Sequence, residues 1–131
     1  MAEVLGVKKP TFAFIAASWA ALLLGSVTYL VGLFRSNLVI SEKGLYFALL
    51  MYGLFAAVSV QKSVRDRLEG VPVTPIYYGL SWFSVLTVFV LFSIGMWNST
   101  VASSEKGFFA MAYLLSLFAA IAVQKNTRDL A

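Results

Sequence analysis

The sequence predicts an all-α membrane protein with four transmembrane helices, arranged as two duplicated helical hairpins. Three observations predict this class. The chain of 131 residues is 60% hydrophobic and only 12% charged, against roughly 25% charged residues in soluble domains, and its mean hydropathy is +0.85. It contains four apolar runs long enough to cross a bilayer. Its two halves also match each other at a shift of 63 residues without a gap.

The apolar runs define the organisation of the chain. The predicted spans, none of which contains Asp, Glu, Lys or Arg, are Phe12–Phe34, Gly44–Val60, Ile76–Trp97 and Gly107–Val123. Each run is continuous and must satisfy its own backbone hydrogen bonds in hydrocarbon, which favours helices over strands. The predicted units are an N-terminal segment 1–11, a first two-helix repeat 12–68, a linker 69–75 and a second two-helix repeat 76–131.

The basic residues predict the orientation. Seven lie on one side of a four-span zigzag and three on the other; the seven are Lys8, Lys9, Lys62, Arg65, Arg67, Lys125 and Arg128, and the three are Arg35, Lys43 and Lys106. Basic residues concentrate in cytoplasmic loops. We therefore expect both termini and the linker in the cytoplasm, and the loops 35–43 and 98–106 outside.

The repeat predicts internal symmetry. Ser41–Gly44 reappears at Ser104–Gly107, and Gln61-Lys62 reappears at Gln124-Lys125. Because each unit has two spans, both copies enter the membrane from the same side. We expect a parallel repeat, with its pseudo-two-fold axis along the membrane normal.

Small residues at helical spacing predict close helix packing, because small side chains let backbones approach where lipid supplies no hydrophobic drive. The positions are Gly53, Ala57, Ser116, Ala120, Ala17, Ala21 and Gly25. The third span has Leu80, Ser84 and Val88 at the places that match the last three. The first span is therefore expected to have a closer neighbour than the third, within the bundle or in another copy.

The duplicated Ser-Glu-Lys on the predicted outer side has two interpretations. The residues are Ser41, Glu42, Lys43, Ser104, Glu105 and Lys106. In the first interpretation the serines cap the even helices and the glutamates lie in the first turn, where the helix dipole favours carboxylates. In the second they form a polar patch that binds a partner loop, a lipid head group or a cation.

A second duplicated set lies on the predicted cytoplasmic side: Gln61, Lys62, Arg65, Asp66, Gln124, Lys125, Arg128 and Asp129. The i,i+4 spacing of Lys62 and Asp66 predicts that the even helices continue about two turns past the membrane. These residues are interpreted either as an anchor for the topology, in contact with lipid head groups, or as a docking site for a partner.

The composition narrows the chemistry. The chain has no Cys and no His, so it lacks thiolate ligands, the usual zinc and haem ligands and the commonest general base. Glu42 and Glu105 have no nucleophile or metal ligand beside them. We therefore predict no catalytic, metal or cofactor site, and the scattered basic residues predict no nucleic-acid partner.

These motifs are similar to those of a known family. The chain resembles the YiaA/YiaB family of bacterial inner-membrane proteins through the Ser-Glu-Lys-Gly segments, through Leu54–Ala57 and Leu117–Ala120, and through Gln61–Asp66 and Gln124–Asp129. Two complete units make it look closer to the tandem, YiaA-type form. The resemblance implies a multi-pass protein of the bacterial cytoplasmic membrane and implies no established activity.

Two classes of function remain open, and an enzymatic role is less favoured than either. The first is a non-enzymatic accessory or scaffold subunit that packs with membrane lipids and with further copies or another membrane protein. The second is a small passive channel or transporter for a neutral solute or small ion, lined by hydroxyl groups of the spans. Those hydroxyl groups are equally able to bond to their own helices.

Overall fold

The computed structural model of the chain describes residues 9–131, and its regular structure over that range is entirely helical. The helices are α1 (Phe12–Arg35), α2 (Ile40–Leu68), α3 (Pro75–Asn98) and α4 (Ser103–Leu130). All four are long and apolar enough to cross a membrane. The predicted class of four membrane-capable helices is therefore confirmed, while Lys8 and most of the segment 1–11 lie outside the described residues.

The helix starts are determined by short local signals. The hydroxyl of Thr11 accepts a hydrogen bond from the N–H of Phe14 at 3.1 Å, and the hydroxyl of Thr74 accepts one from the N–H of Tyr77 at 3.2 Å. The even helices begin without a side-chain cap, after Val39 and Ala102. The expectation that serines cap these helices was wrong: each even helix begins earlier than its Ser-Glu-Lys-Gly segment predicted, which places those serines within the first turn.

The turn after α2 explains one glycine. Gly70 has φ +77°, and the N–H groups of Gly70 and Val71 donate to the carbonyls of Arg67 and Asp66 at 3.3 and 2.8 Å. This is the Schellman arrangement, in which a left-handed residue ends the helix and satisfies its last carbonyls. A Cβ atom would strain the backbone at this φ, which favours glycine as the residue that stops α2.

Each helix packs mainly on a helix of the other repeat. α1 packs mainly on α4, α3 packs mainly on α2, and α2 and α4 pack on each other. Within each hairpin the contact is smaller, and α3 and α4 hardly touch. Most of the buried side chains therefore lie on the two even helices. Each repeat buries its apolar face against the other repeat.

We name the two ends of the bundle by the chain segments they contain. The terminal end holds the start of α1, the end of α4 and the linker that joins α2 to α3; the hairpin end holds the α1–α2 and α3–α4 turns. Between the ends, aromatic rings from all four helices fill the centre. The ring of Tyr113 stacks on Phe92 with centroids 4.3 Å apart, and the ring of Tyr29 lies 5.7 Å from Tyr113 and 5.7 Å from Phe109.

Candidate functional site

The most concentrated polar feature is a cluster of charged side chains at the terminal end, which we call the ion-pair cluster. Its members are Lys62, Arg65, Asp66, Glu69, Lys125, Arg128 and Asp129. Two pairs join the repeats: Arg65 of α2 binds the carboxylate of Asp129 on α4, and Arg128 of α4 binds the carboxylate of Asp66 on α2. The two pairs are related by the 63-residue shift, so the parallel repeat is visible in the contacts.

Contacts within each helix complete the cluster. Lys62 reaches Asp66 at 2.7 Å and Lys125 reaches Asp129 at 2.8 Å, both at i,i+4 spacing. Glu69 bridges the two arginines, at 2.6 Å from Nε of Arg65 and 3.1 Å from a terminal nitrogen of Arg128.

The burial of each partner determines how much the loss of an ion pair would destabilise the bundle. The side chain of Asp129 is fully buried and that of Arg65 is 8% exposed, whereas Arg128 is 22% exposed. Removing one partner of a buried ion pair leaves an uncompensated charge, which costs about 3–5 kcal/mol, although the intact pair itself adds little net stability. Breaking either pair would therefore destabilise the contact of α2 with α4 at this end.

The other predicted residues of the cytoplasmic-side set lie next to the cluster. Gln61 and Gln124 are half-buried, and Lys62 is the most exposed charged member of the set. Across the repeats, Arg65 faces Asp129 and Asp66 faces Arg128. Docking of a partner at this end stays a prediction, and the exposed lysine side chains are the parts of the set that a partner or lipid can reach.

The lysines at the hairpin end bind helix ends. The ammonium of Lys43 donates to the carbonyl of Phe34 at 3.0 Å, and that of Lys106 donates to the carbonyl of Trp97 at 3.1 Å. Each lysine thereby satisfies a carbonyl in the last turn of the preceding helix, where a positive charge also suits the helix dipole. The same lysine-to-carbonyl bond therefore occurs across both hairpin turns, and residue spacing alone did not predict it.

The rest of the predicted outer patch is accessible. Ser41 and Ser104 are exposed, Glu42 is half-buried and Glu105 is exposed. The hairpin end therefore presents two carboxylates beside two lysines that are already bound to carbonyls. A role of this patch in binding stays a prediction.

The small residues differ in what they touch. A Cβ atom added at Gly25 would lie 3.0 Å from the backbone nitrogen of Ser116 and 3.2 Å from the carbonyl oxygen of Ala112, so α1 and α4 approach closely there. Gly53, Ala57 and Ala120 are buried, as are the two α4 residues that face Gly25. Ala17 is exposed and Ala21 half-buried.

Two tyrosines on the helix interfaces also carry hydrogen bonds that the sequence did not single out. The phenol of Tyr29 donates to the carbonyl of Tyr46 at 2.8 Å, and the phenol of Tyr113 donates to the carbonyl of Leu49 at 2.6 Å. Both bonds end on α2. Their aromatic character and helical spacing were visible in the sequence, but the partner carbonyls belong to another helix.

The hydroxyl groups of the spans bond mostly to their own helices. Ser18, Ser81, Thr87 and Ser116 each donate to the carbonyl four residues earlier, at 2.7–2.8 Å. Asn126 adds one interhelical bond, from its amide nitrogen to the hydroxyl of Ser18 at 3.2 Å. Within residues 9–131, the buried hydroxyl of Ser26 and the side-chain oxygen of Asn126 have no hydrogen-bond partner.

A groove opens between α3 and α4 at the hairpin end, where the two helices hardly touch. Its volume is about 450 Å³, and its lining is largely apolar. Within residues 9–131, no group of three or more Asp and Glu side chains is placed to hold a metal ion. The groove is an apolar concave feature at the end of the bundle opposite the ion-pair cluster.

Known proteins match the chain along both repeats. The family described as "yiaA/B two helix domain" matches residues 14–66 and again 77–129. The chain belongs to this family. It is also 53% identical over 121 residues to "Inner membrane protein YiaA" of Escherichia coli (strain K12), covering 89% of this chain and 81% of that protein. No solved structure matches.

The family match agrees with the duplicated contacts. Each matched two-helix unit contains one odd and one even helix, and the second unit ends at Asp129, the partner of Arg65. The resemblance to the YiaA/YiaB family is therefore confirmed.

Proposed function

We propose that this chain is a non-enzymatic protein of the bacterial inner membrane that acts through helix packing, as an accessory or scaffold subunit in a homo- or hetero-oligomer. The observation that carries the proposal is the use of its polar groups: the carboxylates of the ion-pair cluster bind arginines and lysines, and several span hydroxyls, those of Ser18, Ser81, Thr87 and Ser116, bind carbonyls of their own helices. The surface that remains for function is the outside of the bundle.

The location is supported by the relative and by the charge distribution. The relative at 53% identity carries the name "Inner membrane protein YiaA", and six of the nine basic residues within 9–131 lie on the terminal-end side. Basic residues accumulate on the cytoplasmic side. Both termini are therefore placed in the cytoplasm in this proposal.

Labelling of introduced cysteines tests the orientation, because the chain has none of its own. Asn37 and Pro72 are exposed, in the first hairpin turn and in the linker. In intact spheroplasts a membrane-impermeant maleimide should label the Asn37→Cys variant, and should label Pro72→Cys only after the membrane is permeabilised. The reverse pattern would overturn the proposed orientation.

The accessory role is tested by native mass spectrometry of the tagged chain, gently extracted from its own membrane. The expected result is a stoichiometric second copy or foreign subunit. Replacing the two hairpin-end carboxylates together, Glu42→Gln with Glu105→Gln, should weaken an association made through this end. The control is Asn37→Ala with Thr100→Ala, which alters the equivalent exposed positions of the two turns. A chain that is always extracted alone would contradict the role.

The passive-channel hypothesis has less support from the geometry. The packed rings of Tyr29, Phe92 and Tyr113 occupy the centre of the bundle, where a pore through one copy would run. Flux of a neutral solute into proteoliposomes, above that of empty liposomes, would nevertheless establish a pore and displace the accessory role.

A further inference from the structure

The groove between α3 and α4 has the depth of one leaflet. On α3 its lining runs from Trp97 at the hairpin end to Phe89, and on α4 from Lys106 to Leu114. Eight residues of helix span about 12 Å, and one leaflet contributes about 15 Å of hydrocarbon. Because the helices are long enough to cross the membrane, the groove extends from the interface most of the way to the bilayer centre.

The interior of the groove is apolar. Its floor contains the buried side chains of Phe92, Met96 and Tyr113, and Phe89 and Leu114 form its inner part. The groove is open on one side, so in a membrane its neighbour is hydrocarbon and water is excluded. An apolar, flexible chain fills such a space without leaving polar groups unpaired.

The mouth of the groove carries a positive charge. Lys106 lines the groove, and its ammonium donates one hydrogen bond to the carbonyl of Trp97 at 3.1 Å. An ammonium has three donors, so two remain for a ligand. The side chain of Trp97 is 82% exposed beside it, as is usual for tryptophan at head-group level.

From the depth, the apolar floor and the charge we propose that the groove binds a bilayer phospholipid, with an acyl chain between α3 and α4 and an anionic head group at Lys106. A helix of a second copy fits less well, because the apolar spans of this chain carry no Asp or Glu to pair with the charge of Lys106. The site goes beyond the accessory role and would hold whether or not the chain has a protein partner.

The duplication supplies matched controls. Gly107 lines the groove and Gly44 is its counterpart in the first repeat, where α1 and α2 contact each other directly. A Cβ atom added at either glycine meets no other atom within 4 Å. Lys43 is likewise the counterpart of Lys106 and makes the same bond to a helix end. Substitutions at the two glycines, or at the two lysines, should therefore affect stability to a similar extent. Only those at Gly107 and Lys106 alter the groove.

The test is native mass spectrometry of the full chain in detergent with added phosphatidylglycerol or phosphatidylcholine. The chain should retain one phosphatidylglycerol. Gly107→Leu should reduce binding of both lipids by roughly tenfold or more, since it removes space for several methylenes, whereas Gly44→Leu should leave binding unchanged. Lys106→Gln should remove the preference for phosphatidylglycerol over phosphatidylcholine, and Lys43→Gln should keep it.

Three results would overturn the proposal. One is equal lipid binding by Gly107→Leu and the unchanged chain. Another is a loss of dimer with unchanged lipid binding in Gly107→Leu, which would identify a second copy as the occupant. The third needs no variant: phosphatidylglycerol with a photoreactive acyl chain should label peptides containing 89–97 or 106–114, and labelling confined to other segments would contradict the site.

Discussion

Arg65 on α2 is ion-paired with Asp129 on α4, and the same pair recurs in reverse between Arg128 and Asp66. The contact joins the two repeats at the terminal end, and it cannot be predicted from the sequence of either repeat alone. Its physical consequence is directional: a shift of α4 along α2 would separate both pairs at once. The ion-pair cluster therefore selects one register for the two central helices.

Loss of one buried carboxylate should destabilise the bundle. Asp129→Asn leaves Arg65 with Glu69 as its remaining acidic partner, in a site where the arginine is only 8% exposed. We expect a loss of about 3 kcal/mol in the free energy of unfolding, as for other broken buried pairs. Asp66→Asn should cost less, because its partner Arg128 is 22% exposed and is more easily solvated. Unfolding by increasing SDS in mixed micelles measures both.

An exchange of charges provides the control for that experiment. The double variant Arg65→Asp with Asp129→Arg restores opposite charges across the interface and should recover part of the lost stability. Recovery would be incomplete, because Glu69 also contacts residue 65. Equal losses in Asp129→Asn, Asp66→Asn and the exchange variant would show that the pairing itself is unimportant.

The close approach of α1 and α4 predicts intolerance at Gly25. The Cβ atom in Gly25→Ala would lie 2.6 Å from the hydroxyl oxygen of Ser116 and 3.0 Å from its backbone nitrogen. Because the backbone has to move, we expect a loss of about 1–3 kcal/mol in the free energy of unfolding. Gly79→Ala is the control, since no atom lies within 4 Å of an added Cβ there. It should be neutral or slightly stabilising; equal costs at the two positions would refute the close packing.

The buried phenol of Tyr113 should make a small contribution to stability. Tyr113→Phe removes the 2.6 Å bond to the carbonyl of Leu49 but keeps the ring stacked on Phe92. We expect a loss of about 0.5–1.5 kcal/mol, the usual value of a hydrogen bond inside a protein or between membrane helices. Tyr52→Phe removes an exposed bond to Ser84 and should cost less. An effect of Tyr52→Phe that exceeds that of Tyr113→Phe would contradict this assignment.

Because the main helix contacts join the two repeats, we expect that neither repeat folds stably without the other. When 1–70 and 71–131 are co-expressed as two chains, they should associate with one another in the membrane, because α1 packs on α4 and α2 on α3. Either half alone should be degraded or should form homodimers that mimic the missing half. Co-purification through a tag on one half measures the association, and two halves that are stable and separate would contradict it.

Local features were predictable because their causes lie close together in the sequence. The four spans follow from uncharged runs that need internal backbone bonding, and the contact of Lys62 with Asp66 follows from i,i+4 spacing. The resemblance to the family rested on short duplicated segments and was confirmed. The start of the even helices was missed by a few residues, since Val39 and Ala102 carry no capping side chain for the sequence to reveal.

The sequence by itself determined the number of membrane-capable helices, their duplication and the family, because hydropathy, spacing and repetition are properties of the chain order. Only the tertiary structure decided which helices pack together, that Arg65 reaches Asp129, and that a groove opens between α3 and α4. All four helices present apolar faces. Several different pairings of these helices in the membrane would therefore bury a similar area of helix surface. The choice among them depends on where a glycine meets a serine, where rings stack and where buried charges find their partners.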